Sequence, residues 1–149
     1  MTTSFSELTA SDSERLRELL AVFASAFVDH PTYQGAVPSE AYLTDFLRQP
    51  QHIVVVALAD DRVIGGLVAY ELQKFERARS EIYIYDLAVL DAYRRKGVGR
   101  GLIGRLKQVA RSRGAYVIYV QADLGDEAAI ALYRSLGVKE DVHHFDIDP

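Results

Sequence analysis

The stretch Ser80–Arg113, SEIYIYDLAVLDAYRRKGVGRGLIGRLKQVARSR, constrains this chain more than any other. Glu81–Val89 is rich in Ile, Tyr and Val, which predicts a strand. Leu102, Ile103, Leu106, Val109 and Ala110 recur at helical spacing and give one apolar face. Between the two lies Tyr93-Arg94-Arg95-Lys96-Gly97-Val98-Gly99. A helix N-terminus carries unpaired N–H groups and a partial positive charge, so phosphates bind there readily. Glycines let an anion approach the backbone, and adjacent cations strengthen the attraction. Strand, basic glycine loop and helix together read as a diphosphate cradle.

Several nucleotide-binding patterns compete for this loop. A P-loop requires G-x-x-x-x-G-K-[ST]; Gly99 and Gly104 have the spacing, but Arg105-Leu106 follow, so the pattern fails. The dinucleotide fingerprint G-x-G-x-x-G does occur, as Gly99-Arg100-Gly101-Leu102-Ile103-Gly104. Asp123 even lies about 20 residues further on, as that pattern asks. The fingerprint belongs on a tight turn directly after a strand, however, and here Leu90–Lys96 intervene. Its last glycines also fall inside the apolar helical pattern. It is read as a decoy.

The rest of the chain supplies a sheet for this unit to join. Ser11-Asp-Ser-Glu14 reads as a capping box, followed by an amphipathic helix through Leu16, Leu19, Leu20, Phe23 and Phe27. Asp29-His30-Pro31 stops it, and Thr32–Pro38 reads as a loop. Ser39 caps a second helix carrying Tyr42, Leu43, Phe46 and Leu47. Ile53–Ala59 is an unbroken apolar strand buried on both faces. Asp60-Asp61-Arg62 turns it back into Val63–Leu72, where Gly65-Gly66 mark a bulge or a close backbone approach. Gln73–Ser80 is a charged connection, so pairing from Ile53 through Val89 is antiparallel. Ala115–Gln121 follows the long helix as a strand reached by a helical crossover, hence parallel to its predecessor. A helix from Asp126 ends at Gly137, and Val142–Asp148 reads as a last strand. The expected fold class is α/β: a mixed central sheet with helices on both faces.

Composition narrows the function. The 149 residues make one domain (1–149), long enough for a sizeable core. A net charge of −4 leaves no general basic field for nucleic acid. The absence of cysteine removes disulfides, thiolate zinc sites and a cysteine nucleophile, and fits a cytoplasmic location. The N-terminal MTTSFSELTASDSERL has no signal-peptide pattern, and no stretch is long enough to span a membrane. The four histidines (His30, His52, His143, His144) lack ligand spacing, so no metal is expected; His143 and His144 point to opposite faces of the last strand.

Arg94-x-x-Gly97-x-Gly99, opening a helix after a strand, resembles the acetyl-CoA loop of the GNAT N-acetyltransferase superfamily. Asp126-Glu-Ala-Ala129-Ile-Ala-Leu132-Tyr133-Arg-Ser-Leu-Gly137-Val138 resembles the N-x-x-A-x-x-L-Y-x-x-x-G-F helix of the same superfamily. Asp126 replaces Asn and Val138 replaces Phe; the first remains a capping side chain and the second remains apolar. KFERARSEIYIYDLAV (Lys74–Val89), GAYVIYVQAD (Gly114–Asp123) and HFDIDP (His144–Pro149) further resemble the GNAT-type aminoglycoside 3-N-acetyltransferases. That resemblance, over most of the chain from about Leu16 onward, implies acetyl transfer from acetyl-CoA to the 3-amino group of 2-deoxystreptamine in gentamicin-like antibiotics. It also implies drug resistance as an outcome, and a homodimer.

The resemblance assigns acetyl-CoA to Leu87, Ala88 and Val89, to Arg94, Arg95, Lys96, Gly97, Val98, Gly99 and Arg100, and to Ala129 and Tyr133. The acceptor is a polycation, so its site should be acidic. Tyr33, Glu81, Tyr83, Asp86, Gln121, Asp123, Asp126, Asp146 and Asp148 are the candidates. Taken singly, strand-end acids are more often solvated side chains than ligands. Asp86 is the exception, because a carboxylate inside an apolar strand is costly unless paired. It is the expected base, with a structural pairing to an arginine as the alternative and Glu81 as the second candidate. Tyr83 and Tyr85 share a face by alternation; Tyr116 and Tyr119 fall on opposite faces and receive no role. Tyr133 is the expected acid for the departing thiolate, against a plain core aromatic with its hydroxyl at the rim. The alternatives are a GNAT enzyme for polyamines or another small amine, and a coenzyme-binding module without transfer activity.

Overall fold

The computed structural model describes residues 2–149. Its elements are β1 (Thr3–Glu7), α1 (Ser13–Ala26), α2 (His30–Gln34), α3 (Glu40–Arg48), β2 (His52–Ala59), β3 (Arg62–Gln73), β4 (Ser80–Val89), α4 (Val98–Arg113), β5 (Ala115–Val120) and α5 (Glu127–Leu136). The five strands lie in the order β1-β2-β3-β4-β5. The first four are antiparallel and β5 is parallel to β4.

The unbroken apolar run of β2 meets helices on both sides, as expected. Ile53, Val55 and Ala57 join Leu67, Ile82, Leu102 and Leu106 beneath α4. Val54 and Val56 face the other way and join Leu19, Phe23, Leu43 and Leu47 beneath α1 and α3. A bulge falls beside Gly65: Ala57 pairs with Gly65 and Leu58 with Val63, which leaves Ile64 unmatched.

Several expectations are corrected. β1 was not foreseen, because TSFSE contains a single large apolar residue; tertiary pairing with β2 (Phe5 opposite Ala57) makes it a strand. Ser11 forms no capping box. Asp12 occupies the N-cap without a side-chain cap bond, its carboxylate instead accepting from the Thr9 N–H at 2.8 Å. Pro31 does more than stop α1. It sits in the first turn of α2, capped by Asp29, so part of the expected Thr32–Pro38 loop is helical. Ser39 does cap α3, accepting from the Tyr42 N–H at 3.1 Å.

The strand expected over Val142–Asp148 does not form. Gly137 leaves α5 in an extended conformation, and the residues beyond it carry no regular structure. Asp146 and Asp148 therefore lie outside the sheet, and His143 and His144 are on no strand. An alternating pattern specifies the two faces of a strand but not its partner, and among the described residues the sheet supplies none.

The decoy fingerprint is explained by packing. Gly99, Gly101 and Gly104 all lie within α4. A Cβ on Gly101 would overlap the ring of Phe5, and one on Gly99 would press on Leu132. Gly101 thus lets β1 pass under α4. Gly101→Val is expected to destabilise the fold by about 1–3 kcal/mol, the usual cost of overpacking. A chemical denaturation midpoint equal to that of the parent would refute this.

Candidate active site

The site forms where β4 and β5 part. Their pairing ends at Ile84 opposite Val120, while β4 continues to Val89. Tyr85–Val89 therefore present a free backbone edge toward β5. α4 begins just beyond this edge, with Gly97 in the left-handed region (φ 78°) as its N-cap and no side chain capping its first turn. The N–H groups of Val98, Gly99 and Arg100 are thus available to an anion. Arg94 is held against the loop by the Val89 carbonyl and Asp91, each at 3.2 Å. Among the described residues, Arg95 and Lys96 make no ion pair. Arg100 turns to α5 instead, donating to the Ser135 hydroxyl at 2.8 Å.

A second bulge sets which way Asp86 points. Val68 pairs with Asp86 and Ala69 with Ile84, so Tyr85 is the extra residue. Ile82 and Ile84 before it, and Leu87 and Val89 after it, all face α4. Ala88 instead packs beneath α1. Strict alternation from Ile84 would bury Asp86 under α4; the bulge turns it to the α1 side. There it is half-buried, and the Tyr33 hydroxyl donates to its Oδ2 at 2.9 Å. Among the described residues no arginine pairs with it, so a phenol stands where an arginine was the expected alternative partner. Its Oδ1 accepts no hydrogen bond from the described residues. Burial raises the Asp86 pKa, and the Tyr33 hydrogen bond works against that rise.

Tyrosines surround this carboxylate. The Asp86 charge raises the pKa of Tyr33, Tyr70, Tyr83 and Tyr133, in each case after burial as the larger cause. Tyr33 is anchored by Phe23 and Phe27, each at 5.6 Å between ring centroids. A file of rings crosses the sheet from Phe46 through His52, Tyr70, Tyr85 and Tyr83 to Tyr119. Tyr83 and Tyr85 share a face, as expected. Tyr116 and Tyr119 do as well, contrary to expectation. A register shift places Ser80 opposite Ala115 and Ile82 opposite Ile118, so Tyr116 reaches Glu81 while Tyr119 stacks on Tyr83.

α5 closes the α4 side. Asp126 caps it, accepting from the Ala129 N–H at 3.1 Å. Leu132, Tyr133 and Leu136 pack on the α4-side core. Burial, then the charges of Asp126 and Asp86, push the Tyr133 hydroxyl up to about 12. It therefore carries its proton at neutral pH.

The remaining candidates divide. Tyr83 donates to Gln121 at 2.9 Å at the end of β5. Asp123 is exposed, and its carbonyl accepts from the Asp126 N–H. Glu81 lies in the paired part of β4, held by Tyr116 at 3.1 Å and Lys74 at 3.6 Å. Asp146 bonds His144 at 3.0 Å within the tail, and the fold of the single chain brings neither it nor Asp148 to Asp86. Tyr70 was missed, because cross-strand register shows only in the folded sheet.

A mixed sheet that opens beside an uncapped, cation-flanked helix N-terminus defines the acyl-CoA N-acyltransferase class. The chain belongs to the acetyltransferase (GNAT) family, whose model matches residues 14–138. The structure of HMB0005, an aminoglycoside acetyltransferase from an uncultured soil metagenomic sample, is 48% identical. It superposes with a TM-score of 0.98 over 100% of this chain and 99% of that one. Meta-AAC0020, another aminoglycoside acetyltransferase from an uncultured soil metagenomic sample, was solved in complex with sisomicin. It is 30% identical with a TM-score of 0.92, over 99% of this chain and 96% of that one. N-alpha-acetyltransferase 30 of Schizosaccharomyces pombe is 31% identical over 93 residues, 62% of this chain and 61% of that protein. The chain thus spans less than two thirds of the length of the first curated relatives it matches.

Proposed function

We propose that this protein, as one domain over residues 1–149, transfers an acetyl group from acetyl-CoA to the 3-amino group of the 2-deoxystreptamine ring of gentamicin-like aminoglycosides, in the cytoplasm. The observation that carries the reading is the bulge at Tyr85, which sets a half-buried carboxylate with one free oxygen beside the opening of the sheet. The likeness to two aminoglycoside acetyltransferases over nearly the whole chain supports the acceptor class.

The residues present suit acetyl-CoA. The N–H groups of Val98, Gly99 and Arg100, with Arg95 and Lys96, would hold its diphosphate. The free edge of Leu87–Val89 would hold the pantetheine arm, with Ala129 leaving room beside α5. Bound there, acetyl-CoA supplies an acetyl thioester that an amine can attack.

This chain's residues then move two protons. Asp86 Oδ1 orients the acceptor amine and accepts its proton as the C–N bond forms. Tyr133 donates its proton to the sulfur as the C–S bond breaks. Tyr33 holds Asp86 in position through Oδ2. The ring faces of Tyr83 and Tyr85 form an amphipathic floor for a sugar ring, and Gln121, Asp123 and Asp126 add polar and acidic groups at its edge. Glu81 is the alternative base, and its bonds to Lys74 and Tyr116 favour a structural role for it.

Tyr33→Phe removes the hydrogen bond that opposes the raised Asp86 pKa. That pKa is expected to rise further. A base works only when deprotonated, so the acidic limb of kcat/KM is expected to shift to higher pH. A pH profile superimposable on the wild type would refute this coupling.

The test of the reading is thiol release from acetyl-CoA by the purified protein, with gentamicin and, separately, spermidine as acceptor. Turnover of gentamicin with NMR showing acetylation at the 3-amine is expected. Acetylation at another amine would overturn the regiochemistry. Turnover of spermidine alone would transfer the assignment to polyamines.

A further inference from the structure

Tyr85, the extra residue of the bulge, stands between two rings like a partition. It lies at 87° to Tyr70 and at 74° to Tyr83, with the centroids 5.9 Å away in both cases. Edge-to-face pairs are ordinary inside a core. Here the middle ring is 62% exposed, so the corners it makes with its neighbours lie at the surface. Tyr33, Tyr83 and Tyr116 commit their hydroxyls to Asp86, Gln121 and Glu81. Those of Tyr70 and Tyr85 have no partner among the described residues. Tyr83 is also stacked on Tyr119 at 4.8 Å, which leaves the corner with Tyr70 the freer of the two.

The charge beside this corner is negative. Burial, then Tyr85 and Asp86, raise the pKa of both Tyr70 and Tyr83, so the carboxylate is within electrostatic reach of each ring. The chain's own cations lie elsewhere. Arg79 covers the ring of Tyr116 at 3.7 Å and Lys96 lies over Tyr93 at 5.7 Å. Among the described residues no cation covers Tyr70, Tyr83 or Tyr85. Ring faces attract a cation through their quadrupole, and walls of aromatic rings are the usual cage for an ammonium group.

We propose that the corner between Tyr70 and Tyr85 is a seat for a second, protonated amine of the acceptor, so that the enzyme selects substrates with at least two amino groups. The role of the seat in transfer rests on the acetyl-transfer reading above; the seat itself does not. The two amines need opposite treatment. The reacting amine must be neutral to attack, and it faces Asp86 Oδ1. The second stays an ammonium, held by ring faces that offer no strong base to take its proton. Because the Tyr33 hydroxyl occupies Oδ2, Asp86 has one oxygen left for the acceptor, and a second cation needs a place of its own. An acceptor with one amine leaves the seat empty.

Tetramethylammonium is the probe, since it carries the charge and cannot be acetylated; tert-butanol is its neutral counterpart of similar size. In a proton NMR titration with the full chain, the tetramethylammonium signal is expected to move upfield and saturate, as a group held over ring faces does, while tert-butanol shows no saturable shift. Tyr85→Leu changes an exposed side chain, so the far-UV spectrum should be kept. It is expected to weaken tetramethylammonium binding about tenfold, and Tyr85→Phe, which keeps the ring face, by less than about twofold. Tyr70→Leu should match Tyr85→Leu, and Tyr83→Leu should not. Undiminished binding by Tyr85→Leu, a loss confined to Tyr83→Leu, or tert-butanol bound as tightly as the cation overturns the seat. In the transfer assay, tetramethylammonium is expected to compete with whichever of gentamicin and spermidine is turned over. Inhibition that excess acceptor does not relieve overturns the link to the acceptor. Absence of gentamicin turnover would overturn the aminoglycoside reading alone, because the titration reads binding without transfer.

Discussion

Asp86→Asn is expected to lower kcat/KM for the acceptor by about 10²–10⁴-fold, the range that a positioned general base contributes. The amide keeps the shape of the carboxylate and can still accept from the Tyr33 hydroxyl. It cannot take a proton at neutral pH. The fold should not suffer, because a half-buried charge with no cation beside it disappears and its desolvation cost is removed. The unfolding midpoint is therefore expected to be unchanged or higher. Glu81→Gln is the companion measurement. Glu81 is already engaged by Lys74 and Tyr116, so its loss should leave kcat/KM near the parent value. If the two variants exchange these outcomes, the base is Glu81 and the role given to Asp86 is wrong.

Tyr133→Phe is expected to reduce kcat by about 10²-fold while KM for acetyl-CoA stays near the wild-type value, because only a proton transfer is removed. The ring remains packed on the α4-side core, so stability should change little. The loss should shrink with a thioester whose thiol is more acidic, since such a leaving group needs less help. A raised KM with kcat intact would make Tyr133 a binding residue and remove it from proton transfer.

The two candidate groups differ in how much of them the sequence disclosed. Tyr133 was placed by its helix. Ala129, Leu132 and Leu136 share its face, and the structure packs Leu132, Tyr133 and Leu136 together on one core. The start of α4 at Gly97 was legible for a similar reason: Gly97 and the cations around it are contiguous in the chain. Asp86 was legible as an anomaly but not as a position. The face it occupies depends on the extra residue at Tyr85, and a bulge has no reliable signature in an Ile-Tyr-Ile-Tyr run. The same blindness put Tyr116 and Tyr119 on opposite faces, since one residue of register reverses every side chain beyond it. Tyr33 was placed in a loop wall by its polarity. Its bond to Asp86 spans 53 positions in sequence, and only the packing of α2 against α1 creates it.

The sequence by itself determined which segments are helices and strands wherever apolar residues repeat with a clear period. β2, β4, α4 and α5 follow from such repeats, and so does the mixed sheet with helices on both faces. It also determined the family, because the loop and the tyrosine helix are short and local. Tertiary structure alone decided the rest. It made a strand of Thr3–Glu7 by giving it β2 as a partner, and it withheld that status from Val142–Asp148, which has none among the described residues. It turned Asp86 away from the α4-side core and gave its carboxylate a phenol instead of an arginine. The physical reason is the same in each case. Periodicity fixes which side of a segment is apolar, whereas pairing, register and burial are properties of two segments at once, and no stretch of residues carries them alone.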